Sequence, residues 1–338
     1  MKYSLIFLLC VISLFGEVLD LDPFIDEKIV LKTKRIPLEK YPGAHNPSLY
    51  EWGDGYIMIF RYAPNPYYDP WVNYIGAVLL DQNFDQVSEP ELLDVRFENT
   101  LQSQAEDARI FSYGGNLYII YNDNTEIHRP WYRERRDMYV AEISFDGTHF
   151  SLTRPVKLYY GEKYFAQFWQ KNWTPFEWNN KILIAYSIHP HEIVYANLHN
   201  GECYNCYTTS SKFQWPWGTL RGSSPAIVLD GEYFSFFHSG HYLKSSVSST
   251  HDRWHYFMGA YTFSKDPPFE LKKISPKPLA GPGFYEDSYQ EKRVILPGGF
   301  VVKGPLIYLS YGKDDSEVWI ATLDKKALLE SLKPVEND

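Results

Sequence analysis

A pattern of two apolar strands around a tight turn returns five times along the 338-residue chain. Each copy has a strand, a Gly- or Asn-centred turn and a second strand rich in Tyr, Phe and Ile, which is typical of a β-hairpin. The copies are NPSLYEWGDGYIMIFRY from Asn46, DARIFSYGGNLYIIYND from Asp107, WTPFEWNNKILIAYSIH from Trp173, SPAIVLDGEYFSFFHSG from Ser224 and LPGGFVVKGPLIYLSYG from Leu296. They begin roughly 50 to 70 residues apart, and a third apolar strand follows most of them, as in a propeller or an array. We therefore predict an all-β fold: one five-bladed β-propeller domain over residues 20–338.

The remaining elements fit a closed ring of blades. Aromatic residues make up 17% of the chain, which favours strands over helices. The tail ATLDKKALLESLKP, ending at Pro334, is the one convincing helical stretch. An open array would expose sheet edges, so we expect the strand near Ile29–Arg35 or the tail to close the last blade.

The net charge of −9 and the pI near 5.6 argue against a nucleic-acid surface, which requires a basic face. Four arginines do cluster at Arg129, Arg133, Arg135 and Arg136, but acidic residues interrupt them. We interpret this cluster as a loop in preference to a polyanion site.

The N-terminus has the pattern of a secretory signal. Lys2 precedes an apolar run from Tyr3 to Phe15 that is too short to span a bilayer comfortably. We expect residues 1–19 to be a signal peptide and the protein to enter the secretory pathway, as a periplasmic or extracellular protein. An uncleaved anchor is the alternative, and only then is a membrane partner expected.

Two cysteines remain after the signal, Cys203 and Cys206, in the spacing C-Y-N-C. No second such pair exists, so a disulfide or two inert thiols are favoured over a zinc site. His189 and His191 lack an acidic partner nearby, so no metal site is expected.

Polar residues recur where the first strand of a copy opens and where the second strand closes. In a propeller these ends converge on a central channel, where burying them is costly unless they serve a ligand or one another. Capping of the blades is the structural alternative, but recurrence at one blade position favours a ligand site. The candidates for substrate binding are Asn46, Arg61, Glu106, Arg109, Asp123 and Asp314, and those for anion binding are Lys171, Asn172, Arg221 and His238.

The charges of the candidate residues indicate the kind of ligand that they suit. Lys171, Arg221 and His238 suit phosphate or a phosphorylated group better than a neutral sugar. Asp107 is the acid facing them, and Arg109 is placed to orient it. An inverting glycosidase would need a second carboxylate to activate water, and no acid stands at the Lys171 or Arg221 position.

These motifs resemble a known family. AEDARIF is similar to the EDPR motif of the family-130 glycoside hydrolases and phosphorylases, five-bladed propellers that act on β-mannosides. HNPSLY with Arg61, KNWTPF, LRGSSPAIVLDGEYFSFFH, VILPGG and LSYGKDDSEVWIA resemble further motifs of that family in the same order. Ala108 departs from the family's usual proline. The KNWTPF and RGSSP forms also resemble a branch that includes β-mannosyltransferases using a sugar-nucleotide donor.

The resemblance implies an inverting β-mannoside phosphorylase, or a β-mannosyl-transferring enzyme that uses a phosphorylated sugar. Asp107 would be the general acid, acting through a sugar hydroxyl, and phosphate held by Lys171, Asn172, Arg221 and His238 would attack the anomeric carbon. Phosphate or a phosphorylated sugar would be the co-substrate, with no further cofactor, and a carbohydrate the partner. Two alternatives stay open: a sugar-nucleotide-dependent β-mannosyltransferase and a non-catalytic carbohydrate-binding propeller.

Overall fold

The computed structural model describes residues 18–65, 72–96, 103–124, 135–161, 169–248, 251–286 and 292–337. These residues form an all-β, propeller-like arrangement of mostly antiparallel sheets. The described chain opens with a 3-10 turn, Asp22–Phe24, and strand β1, Val30–Arg35.

Four sheets follow the four-strand path of a propeller blade. The first contains β2 (His45–Trp52), β3 (Gly55–Tyr62), β4 (Tyr74–Leu80) and β5 (Glu91–Leu92). The second contains β6 (Glu106–Tyr113), β7 (Asn116–Asp123), β8 (Asp137–Phe145) and β10 (Val156–Leu158), with β9 (Phe150–Leu152) beside β8. The third contains β11 (Thr174–Trp178), β12 (Lys181–Ser187), β13 (His191–Ala196) and β14 (Cys203–Thr209). The last contains β22 (Ile295–Lys303), β23 (Leu306–Lys313), β24 (Glu317–Asp324) and β1.

The repeat copy from Ser224 lies in a different kind of sheet, with seven strands. They are β16 (Thr219–Gly222), β17 (Ile227–Leu229), β18 (Glu232–Leu243), β19 (Arg253–Ser264), β20 (Leu271–Ile274), β21 (Lys292–Arg293) and β25 (Lys333–Pro334). A separate pair joins β15 (Ser211–Lys212) to β26 (Glu336–Asn337).

The prediction of five equivalent blades is therefore wrong in this form, since the described residues show four blades of the expected path. In the seven-stranded sheet, β16 and β17 both pair with β18, so the first strand of this repeat is divided. The break contains Pro225, which has no N–H for the ladder. The five hairpins themselves are confirmed as antiparallel pairs.

The predicted closure is confirmed. β1 pairs antiparallel with β24, with Thr33 opposite Ala321 and Lys34 opposite Ile320. The last blade thus combines strands from both ends of the described chain. The predicted tail helix is also present as α1, Lys325–Ser331.

The innermost strands meet through buried hydroxyls. Ser48 Oγ donates to Gly298 O at 3.3 Å and accepts from Ile110 N at 3.1 Å, and Ser310 Oγ donates to Pro47 O at 3.1 Å. These bonds join the first, second and last blades. Gly298 permits the approach, because a Cβ there would lie 1.6 Å from Pro47 O. The starts of the inner strands are consequently held close together.

Several predictions concern other parts of the chain. Residues 1–17, most of the predicted signal, lie outside the described residues, as do Arg129 and Arg133. No helix within the described ranges is long and apolar enough to cross a bilayer. Cys203 and Cys206 are free thiols, and burial raises the pKa of Cys203 to about 12, which fits the inert-thiol alternative.

Candidate functional site

In each of the first three blades, a polar residue within two positions of the start of the inner strand has the left-handed backbone conformation. Asn46, Asp107 and Asn172 have φ of 49°, 54° and 62°. Asn and Asp tolerate this conformation better than other non-glycine residues. The ladder shifts register around Asn46 and around Asp107, and such bulges re-aim a side chain. Asn46 Nδ2 donates to Asp107 Oδ1 at 2.8 Å, so the first two of these side chains meet.

Glu106 is a buried anion bound by three cations. Its Oε1 lies 3.1 Å from Arg61 Nη2 and 3.2 Å from Arg136 Nη2, and its Oε2 lies 2.6 Å from Lys171 Nζ. Asn73 Nδ2 also donates to Oε1 at 3.5 Å. Burial raises the pKa of Glu106, but Arg61, Lys171 and Arg136 together lower it to about 2. Glu106 is therefore ionised at neutral pH and has its acceptors occupied.

Asp107 is the neighbouring carboxylate, and its side chain keeps 14% of its surface exposed. Arg61 Nη1 lies 3.4 Å from its Oδ1. Burial raises the pKa of Asp107, but the positive field of Arg61, Arg109 and Lys171 and the Asn46 hydrogen bond hold it well below its ordinary range. In the free protein Asp107 is thus a carboxylate, so donating a proton requires that this field first be weakened.

Arg109 fixes the backbone of the acid. Its Nη1 donates to Asp107 O at 2.9 Å and to Ala108 O at 3.3 Å, and its Nε donates to Ser223 O at 2.6 Å. The buried guanidinium therefore links the second blade to the seven-stranded sheet. Arg109 thus contacts the backbone of Asp107, the residue that it was predicted to orient.

Arg221 and His238 are cross-strand neighbours in β16 and β18. Arg221 is exposed, and no ion pair involves it within the described part of the chain. His238 is buried, with Nδ1 2.6 Å from Ser223 Oγ and its ring 5.8 Å from that of Tyr256. Burial, Arg221 and Arg109 lower the pKa of His238 to about 3. His238 is hence neutral, and the prediction that it serves as a cation is wrong for the free protein, although it remains a hydrogen-bonding group.

The other predicted anion ligands, Lys171 and Asn172, lie close to Glu106 and to the strand β16. Lys171 Nζ, besides its contact with Glu106, sits 4.9 Å from the Trp169 ring centre, and its side chain is 24% exposed. The Asn172 backbone carbonyl is close to Gly222, where a Cβ would approach it to 2.4 Å. Lys171 and Asn172 thus border the strand that carries Arg221.

Two residues predicted to bind substrate, Asp123 and Asp314, accept hydrogen bonds from backbone N–H groups. Asp123 is buried and accepts from Ser103 Oγ at 2.9 Å, Gln104 N at 2.8 Å and Asn124 N at 2.6 Å. Burial, partly offset by these bonds, raises the pKa of Asp123 to about 6. Asp314 Oδ1 accepts from Val294 N at 2.8 Å, beside the turn between β23 and β24.

Four residues near the site were not among the predicted site residues. Arg136, which was predicted only as part of a loop cluster, contacts Glu106 and donates to Gln104 O at 3.0 Å. Arg135 is likewise buried, 2.7 Å from Asp137. Asn73 bonds Arg61 Nε at 3.0 Å, and Tyr256 stacks on His238. The position of Arg136 directly before the strand β8 could have indicated that it belongs to the site.

The polar cluster around Glu106 and Asp107 has an excess of positive charge. Its two carboxylates, Glu106 and Asp107, are outnumbered by its cations, which are Arg61, Arg109, Arg136, Lys171 and Arg221. Asp315 contributes a further negative charge that acts on Arg61 and on Tyr256. Because the whole chain carries −9, this local excess is a property of the site.

Comparisons with known proteins give structural neighbours only. No protein-family model matches the chain, and no curated protein matches its sequence. One solved neighbour comes from the GH130 family of mannoside phosphorylases, which contains glycoside hydrolases that target β-1,2 mannosidic linkages in Candida mannan. It gives a TM-score of 0.60 at 15% identity, over 88% of this chain and 87% of that one.

Two phosphorylases are also similar. The β-1,2-mannobiose phosphorylase of Listeria innocua, in complex with β-1,2-mannobiose, has a TM-score of 0.58 at 14% identity, covering 92% of this chain and 97% of that one. MPT-4, a mannose phosphorylase from Leishmania mexicana in complex with phosphate, has a TM-score of 0.58 at 10% identity, covering 88% and 90%. At these identities the likeness establishes the fold, and at that level the resemblance to the family-130 proteins is confirmed.

Proposed function

We propose that this protein is a glycoside-active enzyme that transfers β-mannosyl groups with inversion, using phosphate or a phosphorylated sugar as second substrate. The observation that carries the proposal is the excess of cations around one partly exposed carboxylate, Asp107, in a chain of net charge −9. Glu106 is buried and has its acceptors occupied, so it does not serve as a base. A phosphate nucleophile needs no protein base, because its own oxygen attacks.

In the proposed reaction, a phosphate oxygen attacks the anomeric carbon from the face opposite the leaving group. The glycosidic C–O bond breaks, and the leaving oxygen takes a proton that originates from Asp107, directly or through a sugar hydroxyl. The products are α-mannose 1-phosphate and the shortened saccharide. Arg221, Lys171 and the neutral ring of His238 hold the phosphate through charge and hydrogen bonds.

The same cations connect phosphate binding to the protonation of Asp107. In the free protein, Arg61, Arg109 and Lys171 keep Asp107 ionised. A phosphate dianion beside Lys171 and Arg221 offsets part of this field and raises the pKa of Asp107. Binding of phosphate therefore prepares the acid, and catalysis depends on the phosphate being present first.

The proposal also assigns the seven-stranded sheet to the ring as its fifth blade. Two observations support this. Arg221 and His238 from this sheet act electrostatically together with Arg109 and Asp107 of the second blade. Arg109 Nε also donates to Ser223 O, in the connection between β16 and β17, at 2.6 Å.

The test is turnover of β-mannobiosides with and without inorganic phosphate, measured as α-mannose 1-phosphate released. Asp107→Asn should reduce kcat by about two to four orders of magnitude, the usual weight of a general acid. Arg221→Ala should raise the KM for phosphate by roughly tenfold or more, with a smaller effect on kcat. Unchanged turnover of Asp107→Asn on any donor that the wild type uses would contradict the assignment.

Hydrolysis is the second candidate, because Asp315 acts electrostatically on Arg61 and Tyr256. Asp315, whose side chain is 39% exposed, is therefore the carboxylate to test as the base that activates water. Phosphate-independent release of mannose, lost in Asp315→Asn, would favour hydrolysis. Turnover that requires a nucleotide-linked mannose would instead favour the transferase alternative.

A further inference from the structure

The hairpin of β18 and β19 extends past the candidate site. Each of its strands has 12 residues, whereas β3, β7 and β23 have eight each. His238 at the site pairs with Met258, and the ladder continues for five more residue pairs, to Leu243 opposite Arg253. At about 3.4 Å per residue, the hairpin runs roughly 17 Å beyond His238.

One face of this extension carries an aromatic series that begins at the site. His238, Gly240 and Tyr242 alternate along β18, so they share a face. Tyr256 lies opposite Gly240, and Trp254 lies opposite Tyr242, on the same face. On the other face, Ser239, His255 and Phe257 are fully buried.

The rings form a continuous track. The His238 and Tyr256 rings stack at 5.8 Å with an interplanar angle of 17°, and those of Tyr242 and Trp254 lie 5.8 Å apart. Tyr242 is 56% exposed and Trp254 is 47% exposed. Tyr256 and Trp254 both cover the position where a side chain of Gly240 would stand, since a Cβ there would lie 3.2 Å from the Tyr256 ring and 3.7 Å from Trp254.

We infer that this track, comprising Tyr242, Trp254 and Tyr256, binds the distal sugar rings of an oligosaccharide whose scissile end occupies the site. The inference rests on the proposed function, and it identifies the substrate class as a saccharide longer than a disaccharide. Tyr and Trp combine an apolar face with a polar edge, which suits the CH face and the hydroxyls of a sugar.

A sugar chain fits this face better than a protein partner does. Thr219 and Arg221 pair with Gly240 and His238 and add polar groups along the track. Two exposed rings bordered by polar side chains fall short of the apolar patch that marks a protein interface. The track is also continuous with His238, so its occupant is an extension of the ligand in the site.

The experiment measures binding, so that it does not depend on turnover. Wild type and Asp107→Asn are titrated calorimetrically with β-mannobiose and β-mannohexaose of 1,2 and 1,4 linkage. The same proteins are run in native gels containing soluble mannans or other plant and fungal polysaccharides. Trp254→Ala and Tyr242→Ala are made in both backgrounds.

We expect Trp254→Ala to weaken hexaose binding roughly tenfold and to leave mannobiose binding within about twofold. Tyr242→Ala should have the same selectivity, and because Tyr242 is more than half exposed it tests the track if Trp254→Ala unfolds. There are two matched controls. Trp52→Ala removes an exposed Trp at the end of β2 that is distant from Arg61, and Tyr204→Ala removes an exposed Tyr on β14 that lies beside Tyr195 of β13. Neither control should alter hexaose binding.

If Trp254→Ala and Tyr242→Ala weaken the binding of mannobiose and of the hexaose equally, or weaken neither, the proposed role of the track is wrong. Polysaccharide retardation that depends on Trp254, without turnover of any mannoside, would retain the track and reject the proposed chemistry. If no polysaccharide retards the protein and no hexaose binds to it, the track is rejected as a sugar-binding surface. This holds even if the protein turns over disaccharides in the presence of phosphate.

Discussion

Replacing Glu106 by Gln should destabilise the protein by an amount that follows from the lowered pKa of Glu106. Contacts in the native state lower the pKa of Glu106 from 4.5 to about 2. A tenfold change in an ionisation constant corresponds to about 1.4 kcal/mol, so the folded state favours the carboxylate by about 3 kcal/mol. Removing one partner of a buried ion cluster costs about 3–5 kcal/mol, which agrees. We expect a loss of about 3 kcal/mol and a fall in Tm of roughly 5 °C at pH 7.

The pH dependence has a definite sign. A carboxyl whose pKa is lowered by folding contributes its full stability above its unfolded pKa, and the contribution disappears as the pH falls through the folded pKa. The difference in unfolding free energy between wild type and Glu106→Gln should be greatest at neutral pH. It should shrink between about pH 4.5 and pH 2, where Glu106 becomes protonated in the wild type.

Urea unfolding followed by tryptophan fluorescence at pH 7, 5 and 3 measures this difference. The matched control is Glu51→Gln, because Glu51 also pairs with a lysine, Lys303 at 3.1 Å, but its side chain is 49% exposed. An exposed pair contributes about 0–1 kcal/mol, so this control should stay near wild type. If Glu106→Gln is as mild as Glu51→Gln, or if its cost does not diminish toward pH 3, the reasoning fails.

Three further predictions concern the scaffold. Gly298→Ala places a Cβ 1.6 Å from Pro47 O and should cost about 2 kcal/mol or more in urea unfolding, because backbone must move. Asp324→Ala removes the side chain that accepts from Ala327 N at 2.7 Å and should cost about 1 kcal/mol, seen as a small fall in Tm with near-native spectra. Asp123 has its pKa raised to about 6, so its stabilising effect is complete below pH 4 and is lost as the pH rises through 6. The unfolding free energy of Asp123→Asn should therefore gain on that of wild type between pH 4 and pH 7, and a constant difference would contradict the role of burial.

The repeats in the sequence predict the hairpins, the closing strand and the tail helix because these depend on local patterns. Alternating apolar residues and tight turns determine each hairpin, and the need to cover a sheet edge leads to the pairing of β1 with β24. The seven-stranded sheet was not predictable in this way. The short strands β16, β21 and β25 join it through contacts between distant segments, which no local pattern encodes.

The members of the site were easier to predict than their roles. Asn46, Arg61, Glu106, Asp107 and Lys171 do meet, as their recurrence at one blade position indicated. Their charges in the folded state depend on burial and on partners from other blades. The sequence does not show that His238 is neutral or that Arg136 reaches Glu106 from the strand β8 side.

Glu106 and Asp107 are adjacent carboxylates, but the surrounding cations contact them differently. Glu106 faces three cations and is nearly excluded from solvent, so it holds Arg61, Arg136 and Lys171 in position. Asp107 is one residue further along a bulged strand, in the left-handed backbone conformation, and its side chain stays 14% exposed. Neutralising Glu106 would release Lys171, so Glu106→Gln should bind phosphate more tightly while it loses stability. Gain of anion affinity together with loss of stability would identify Glu106 as the internal counter-ion with which the phosphate competes for Lys171.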